Sequence, residues 1–410
     1  MVRDWKVLFS DNIRDFEGYT IGKMLKYLNE PDIISFAAGM PSSDTFPLEL
    51  MKEASNNILE NNFESVFQYS AIPGENTLIE AVIDFLKMDD IFVDKENILI
   101  TSSGQHGIDI TGRLFLNPGD SIIVDRPTFS GAIVAFQMQR PNFIGVDIEE
   151  DGSNISGFHE KIKKIKGMNS PFPKFIYVVP DFQNPSGITM SLEKRESLLD
   201  LSYEYNIPIV EDSPYRVLRY YGHSIPSIFT LDQKRDGKNV IGVYTFSKIF
   251  VPGIRLGFNI GPISIIEKMT NIKEANVLNT PKWNQDLCTY FLKNTNLDKY
   301  FEKNQNYYRK KLKITMESLD EHLKELKDVS WTKPEGGFFS WITLSKEMDT
   351  MDFFYKAVKE ERVAYVPGEV FYGENPEKNH IRLNFSYPKE EEIKEGIKRL
   401  GNCLKKICET

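Results

Sequence analysis

Between residues 97 and 261 the chain repeats one alternation: a short apolar run rich in β-branched residues, then a longer stretch of helical character. The runs fall at 97–101, 121–125, 143–147, 175–180, 207–211, 240–244 and 255–261. "SIIVD" and "IPIVED" are nearly continuous apolar runs, as strands covered on both faces require. Segments such as 191–206 carry the helical pattern between them. Strands alternating with helices leave few folds open, and the simplest is an α/β domain built on a largely parallel sheet.

The texture changes near residue 276. Residues 285–326 read as mostly helical and highly charged. They are followed by strand candidates in "VSWT", "GGFFSWITL", "VAYV" and "HIRLNFS", with a helix at 352–361 among them and an amphipathic helix at 389–407. This describes a smaller α+β domain, with residues 1–50 packed against it. The expected division is 51–275 for the large domain and 1–50 with 276–410 for the small one. The "KRDG" at 234–237 reads as a surface turn.

Composition removes several classes of function. Apolar residues at 41% and charged residues at 27% are a globular balance. Fifty Lys and Arg against 59 Asp and Glu give a net charge of −9, without the basic footprint of a nucleic-acid or membrane-surface protein. Cys288, Cys403 and Cys408 are too few for a disulfide framework or a four-cysteine zinc site, and fit a reducing, cytoplasmic setting. No apolar run reaches spanning length. The start, with Arg3, Asp4, Lys6 and Asp11, does not read as a signal peptide. There is no Walker A loop, no GxGxxG after a strand, no HExxH and no C-x-x-C, and the five histidines are scattered.

Four segments, each after a strand, carry chemistry. In "YTFSKIFVPGIRLGF" (244–258) a strand runs into Thr245, Ser247 and Lys248, with Arg255 seven residues beyond the lysine. Burial disfavours an ammonium, and a lysine so placed can act as an amine nucleophile toward an aldehyde. Two hydroxyls and a guanidinium beside it suit a phosphate. In "IPIVEDSPYRVL" (207–218) Asp212 closes a strand and Tyr215 follows three residues later. Ligands of open α/β sheets sit beyond such carboxyl ends. "VVPDFQNPSG" (178–187) offers the Asn184 amide, and "TSSGQHGID" (101–109) puts Ser103, Gly104 and Gln105 at a helix N-terminus, a ready anion site. Taken singly each has a plain structural use: a loop lysine, a surface salt bridge, a helix cap, a turn. The joint set in this order is far more specific.

That set resembles the pyridoxal-phosphate enzymes of fold type I, specifically the class I/II aminotransferases, and among them the aminoadipate, kynurenine and aromatic aminotransferase group. The resemblance extends from "IISFAAGMPSSDTFP" (33–47) through "VFQYSAIPGENTLIEAV" and "DRPTFSGAI" to "NHIRLNFS" (379–386). It implies a large domain with a mostly parallel seven-stranded sheet, a smaller α+β domain, and pyridoxal 5′-phosphate as cofactor. It implies Lys248 as the Schiff-base lysine and proton carrier and Asp212 as partner of the pyridine nitrogen. Asn184 and Tyr215 would hold the ring oxygen, and Phe129 would be the stacking ring. Ser103, Gly104, Gln105, Thr245, Ser247 and Arg255 would bind the phosphate, joined by Tyr69 from the neighbouring subunit of a homodimer. Arg382 would clamp the substrate carboxylate with Asn184 and the Gly39 backbone. Substrates would be an L-amino acid, with aromatic, aminoadipate-like and other broad-range donors all open, and a 2-oxo acid such as 2-oxoglutarate.

Three departures stand out. Phe129 occupies a position that is usually Tyr, and Gly104 one that is often Ser. In "YTIGKMLKYL" (19–28) Gly22 aligns with an arginine of members that accept acidic side chains, with Lys23 beside it. This argues against a strict preference for acidic donors. The core motifs are shared with C–S β-lyases and decarboxylases on the same fold, which stay open as alternatives. An aminotransferase-like ligand sensor is disfavoured, because about 30 residues before "IISFAAG" are too few for a DNA-binding domain of ordinary size.

Overall fold

The computed structural model describes residues 4–14, 16, 18, 22, 24, 27, 30, 32–167 and 171–408. Lys23 and the side chain of Cys408 lie outside that description. In chain order the strands are β1 (Ile34–Ser35), β2 (Ile98–Thr101), β3 (Ser121–Arg126), β4 (Asn142–Glu149), β5 (Gly152–Ser153), β6 (Ile176–Val178), β7 (Ile209–Asp212), β8 (Val240–Thr245), β9 (Gly257–Ile260), β10 (Ser330–Trp331), β11 (Phe339–Thr343), β12 (Val363–Ala364), β13 (Val366–Pro367) and β14 (His380–Asn384).

The large sheet has the order β2-β9-β8-β7-β6-β3-β4-β5. All seven expected strands are in it. The expected count of seven becomes eight because a turn at 150–151 folds β4 back on itself, pairing Glu149 with Gly152 and Ile148 with Ser153. An edge of two residues is too short to show as a hydrophobic period. Strands β3, β4, β6, β7 and β8 are parallel, and β9 is antiparallel to both β8 and β2.

Alternate residues of the central strands go to opposite faces. Ile123, Ile176 and Ile209 pack with Phe158, Leu198 and Leu201, while Val124, Tyr177 and Val210 pack with Ile108 and Phe136. Both faces are therefore covered, as the unbroken apolar runs require. Each such buried aliphatic side chain contributes about 1.5–3 kcal/mol.

The second sheet is antiparallel, in the order β10-β11-β14-β13. The pair β1–β12 brings residues near the start of the chain to this unit, with Ile34 opposite Val363. Leu319 and Leu323 of the helix Leu297–Leu323, and Ile393, Ile397 and Leu400 of the helix Glu390–Cys408, complete its core. The helix Lys282–Asn294, expected with this smaller unit, packs elsewhere. Its Leu287, Cys288 and Phe291 enter the core formed by Ile79, Val82, Phe85 and Phe258 beside the large sheet, because its apolar stripe fits the helices 48–61 and 76–87.

Strands β2, β3, β6, β7 and β8 point the same way, so their carboxyl ends share one edge of the sheet. The segment 36–45 and strand β14 reach that edge from the smaller unit.

Candidate active site

A cavity of about 370 Å³ opens at this edge, a volume suited to a small molecule. Its lining includes Gly39, Ser103, Gly104, Gln105, Phe129, Asn184, Asp212, Tyr215, Thr245, Ser247, Lys248, Arg255 and Arg382. Every site residue expected from sequence is thus brought together except Tyr69. That side chain is 77% exposed and is not part of the cavity lining of its own chain.

Lys248 follows β8 in a short turn, and its Nζ donates to the Gly39 carbonyl at 2.8 Å. Burial first, then the positive charges of Arg382 and Arg255, push the ammonium down to about 8 against the opposing pull of Asp212. Asp212 is the last residue of β7 and is 4% exposed. Burial pushes its carboxyl up to about 7, partly offset by a hydrogen bond from Tyr177 and by the charge of Lys248. The Tyr177 hydroxyl donates to Asp212 Oδ2 at 2.6 Å. Sequence reasoning missed Tyr177, since a tyrosine inside "FIYVV" reads as core. The signal available was its hydroxyl, which a buried tyrosine has to satisfy.

Asn184 is fixed by its loop. Buried Arg195 bonds Asp181 Oδ1 at 2.7 Å and the carbonyls of Pro180 and Met190, closing the loop at both ends. Gln183 accepts from Ser186 and donates to the Pro127 carbonyl at 2.7 Å, joining this loop to the one that carries Phe129. Arg382 Nη1 donates to Asn184 Oδ1 at 3.1 Å, which leaves the Asn184 NH₂ as the donor toward the cavity. Tyr215 is held edge-on by Phe338 and Phe339.

Arg382 is not a surface arginine. It is 2% exposed on β14, lies over the rings of Phe339 and Phe371, and donates to the Ala37 carbonyl at 2.7 Å. Gly39 is close-packed beside it, since a Cβ there would stand 3.2 Å from the Phe339 ring.

The opposite end of the cavity is an anion cradle. The helix Gly104–Phe115 starts directly after β2 and presents unpaired backbone N–H groups. Ser103 has φ 122°, a strained conformation for a non-glycine residue, held by the Thr101 hydroxyl bonded to the Ser103 carbonyl and by Ser102 N–H on His106 Nδ1. Gln105 Nε2 donates to the Gly131 carbonyl and ties the cradle to the Phe129 helix. Thr245 and Ser247 hydroxyls are 3.0 Å apart, and Arg255 Nη1 reaches Ser247 Oγ at 3.3 Å. A Cβ at Gly104 would lie 3.3 Å from Thr245 Cβ, so a side chain there would crowd the cradle. The donor set is complete for a phosphorylated pyridine aldehyde: hydroxyls, backbone N–H groups and a guanidinium for the phosphate, an aromatic face, a buried carboxylate for the ring nitrogen and an amine for the aldehyde.

Such a fold and such a cavity define the fold-type I class of pyridoxal-phosphate enzymes. The chain belongs to the aminotransferase class I and II family, whose model matches residues 31–400, and members of that family use pyridoxal phosphate. An aromatic-amino-acid aminotransferase of Thermococcus litoralis is 36% identical over 98% of this chain and 95% of its own. A 2-aminoadipate transaminase of Thermus thermophilus is 34% identical over 98% and 97%. The crystal structure of a Pyrococcus horikoshii kynurenine aminotransferase superposes with a TM-score of 0.93 at 37% identity, covering 98% of each chain.

Proposed function

We propose that this aminotransferase moves the amino group of an L-amino acid with an aromatic or other apolar side chain to a 2-oxo acid such as 2-oxoglutarate. One observation carries the reading: Lys248, Asp212 and the buried Arg382 converge on one cavity whose far end is an anion cradle. Bound pyridoxal phosphate supplies an electron sink for breaking the Cα–H bond. The chain supplies the rest. Lys248 is the amine that holds the aldehyde and then carries the proton. Asp212 keeps the ring nitrogen protonated, Asn184 and Tyr215 donate to the ring oxygen, and Phe129 covers the ring face. Ser103, Gly104, Gln105, Thr245, Ser247 and Arg255 hold the phosphate. Arg382 takes the substrate α-carboxylate in its guanidinium fork, next to Asn184 and the Gly39 backbone.

Substrate preference follows from what else lines the cavity. Ala37, Ala38, Met40, Ile108, Val179 and Pro252 are apolar, and among the described residues the lining cations are Lys248, Arg255 and Arg382, each with a role already. The described Gly22 has nothing within 4 Å of where a Cβ would stand. The named activities of the Thermococcus and Pyrococcus relatives agree with an aromatic donor. Tyr69 is proposed to reach the phosphate of a second copy in a homodimer. It stands beside exposed Phe63 and Phe67, the latter stacked on Trp283, an aromatic face of the kind a partner subunit covers. A cytoplasmic location is supported by the free, buried Cys288 and Cys403.

The test is the visible spectrum of the pyridoxal-phosphate-loaded protein with single amino acids and no oxo acid. Bleaching of the cofactor band, fastest with aromatic donors, is expected. A band unchanged by every amino acid would overturn transamination and favour lyase or decarboxylase chemistry.

A further inference from the structure

Tyr177 has no part in the roles above, yet its geometry bears directly on one of them. It is opposite Val210 in the β6–β7 register and diagonal to Asp212, so the two side chains share one face of the sheet. Its ring is fully buried and held edge-on by Phe136, with centroids 5.5 Å apart. Tyr177 is outside the cavity lining, whereas Asp212 is part of it. The phenol thus reaches Asp212 Oδ2 from a residue outside the cavity lining.

We propose that Tyr177 is a positioning residue for the cofactor, holding Asp212 ionised and in the orientation that pairs it with the ring nitrogen. The proposal rests on the reading of Asp212 as that partner. Its physical basis is the cost of a buried carboxylate. Without a donor, burial drives the acid toward its neutral form, and a neutral acid cannot hold a proton on the ring. A hydrogen bond given to the charged form opposes this, and one from a rigid neighbour also fixes the direction. The other groups whose charge acts on this pair are Tyr215, Lys248 and Asp125, the last bonded to Ser153 Oγ at 2.5 Å. The Tyr177 hydroxyl is at hydrogen-bond distance from Asp212.

The experiment compares wild type, Tyr177→Phe and Asp212→Asn, each loaded with pyridoxal phosphate ¹⁵N-labelled at the ring. Two quantities are read: the ring-nitrogen resonance, which separates protonated from neutral pyridine, and the dissociation constant of the cofactor. Tyr177→Phe is expected to move the resonance part of the way toward neutral and to weaken binding about tenfold, about 1.4 kcal/mol. Asp212→Asn should move the resonance further. If Asp212→Asn moves it and Tyr177→Phe changes neither quantity, Tyr177 is packing alone and the proposal falls. If Asp212→Asn itself leaves the resonance in place, the Asp212 reading fails and takes the proposal with it. Should Tyr177→Phe not fold, 3-fluorotyrosine at 177 keeps the shape and strengthens the donor. Tighter binding by twofold or more then supports the proposal, and unchanged binding overturns it.

Discussion

The ammonium of Lys248 is costly where it stands, buried just past the end of β8 and repelled by the charges of Arg382 and Arg255. A value near 8 means that the neutral, nucleophilic amine gains about tenfold per pH unit up to that point and little beyond it. The rate of colour formation when the cofactor-free protein meets pyridoxal phosphate should follow this curve, levelling above pH 8. A plateau reached only above pH 10 would show an ordinary lysine. Asp212 gives a stability signature of the opposite kind. Its folded-state carboxyl is raised to about 7 from the ordinary 3.8, so the folded state binds the extra proton between those values and loses stability as pH rises through them. Cofactor-free Asp212→Asn should therefore melt progressively higher than wild type from pH 5 to 7.5. A constant difference across that range would rule the linkage out. For Arg382, loss of the fork in Arg382→Ala should raise the KM for amino acids about 100-fold, and Arg382→Lys about tenfold, since a point charge replaces a bidentate donor only in part. Equal kinetics in all three proteins would refute the clamp. Lys248 and Asp212 were legible in sequence because each stands at or just past a strand end, whereas Arg382, in the middle of β14, was legible only through the family resemblance of its segment. Tyr177 and Gln183 were not, because what they bond lies on other strands and loops.

At the scale of elements, the cradle depends on how closely β9, β8 and the helix 104–115 approach. A Cβ on Gly257 would meet the Tyr244 carbonyl at 2.5 Å and the Gly104 nitrogen at 2.8 Å, both backbone atoms that cannot step aside. Gly257→Ala should cost about 1–3 kcal/mol in urea unfolding and weaken cofactor binding at the same time. Unchanged stability and affinity would mean that the strand spacing tolerates a methyl group. The strands themselves were readable from sequence, since buried parallel strands leave unbroken apolar runs. The hairpin edge β5 was not, being only two residues long. Nor was the allegiance of the helix 282–294. Its apolar stripe shows that it packs against something, but the stripe carries no information about which core receives it.

Two packed units supply the site of the whole molecule, and a second copy of the chain is proposed to supply Tyr69. If so, Lys248→Ala and Tyr69→Ala proteins, each impaired alone, should complement when co-expressed. A mixed dimer holds one site with both residues intact, so a random mixture should recover about a quarter of wild-type turnover. No recovery from a dimeric mixture would remove Tyr69 from the shared site. The order in which the parts occur along the chain has its own consequence during synthesis. Every residue of the chain proposed to face the cofactor has been made once residue 255 is in place, but β14 and its Arg382 come some 125 residues later. Since domains tend to fold as they emerge, N-terminal parts first, a nascent chain can acquire a receptor for vitamin B6 phosphate well before it can grip an amino acid. A growing polypeptide with a reactive aldehyde already in place would then be shielded from premature chemistry by the lateness of a single strand.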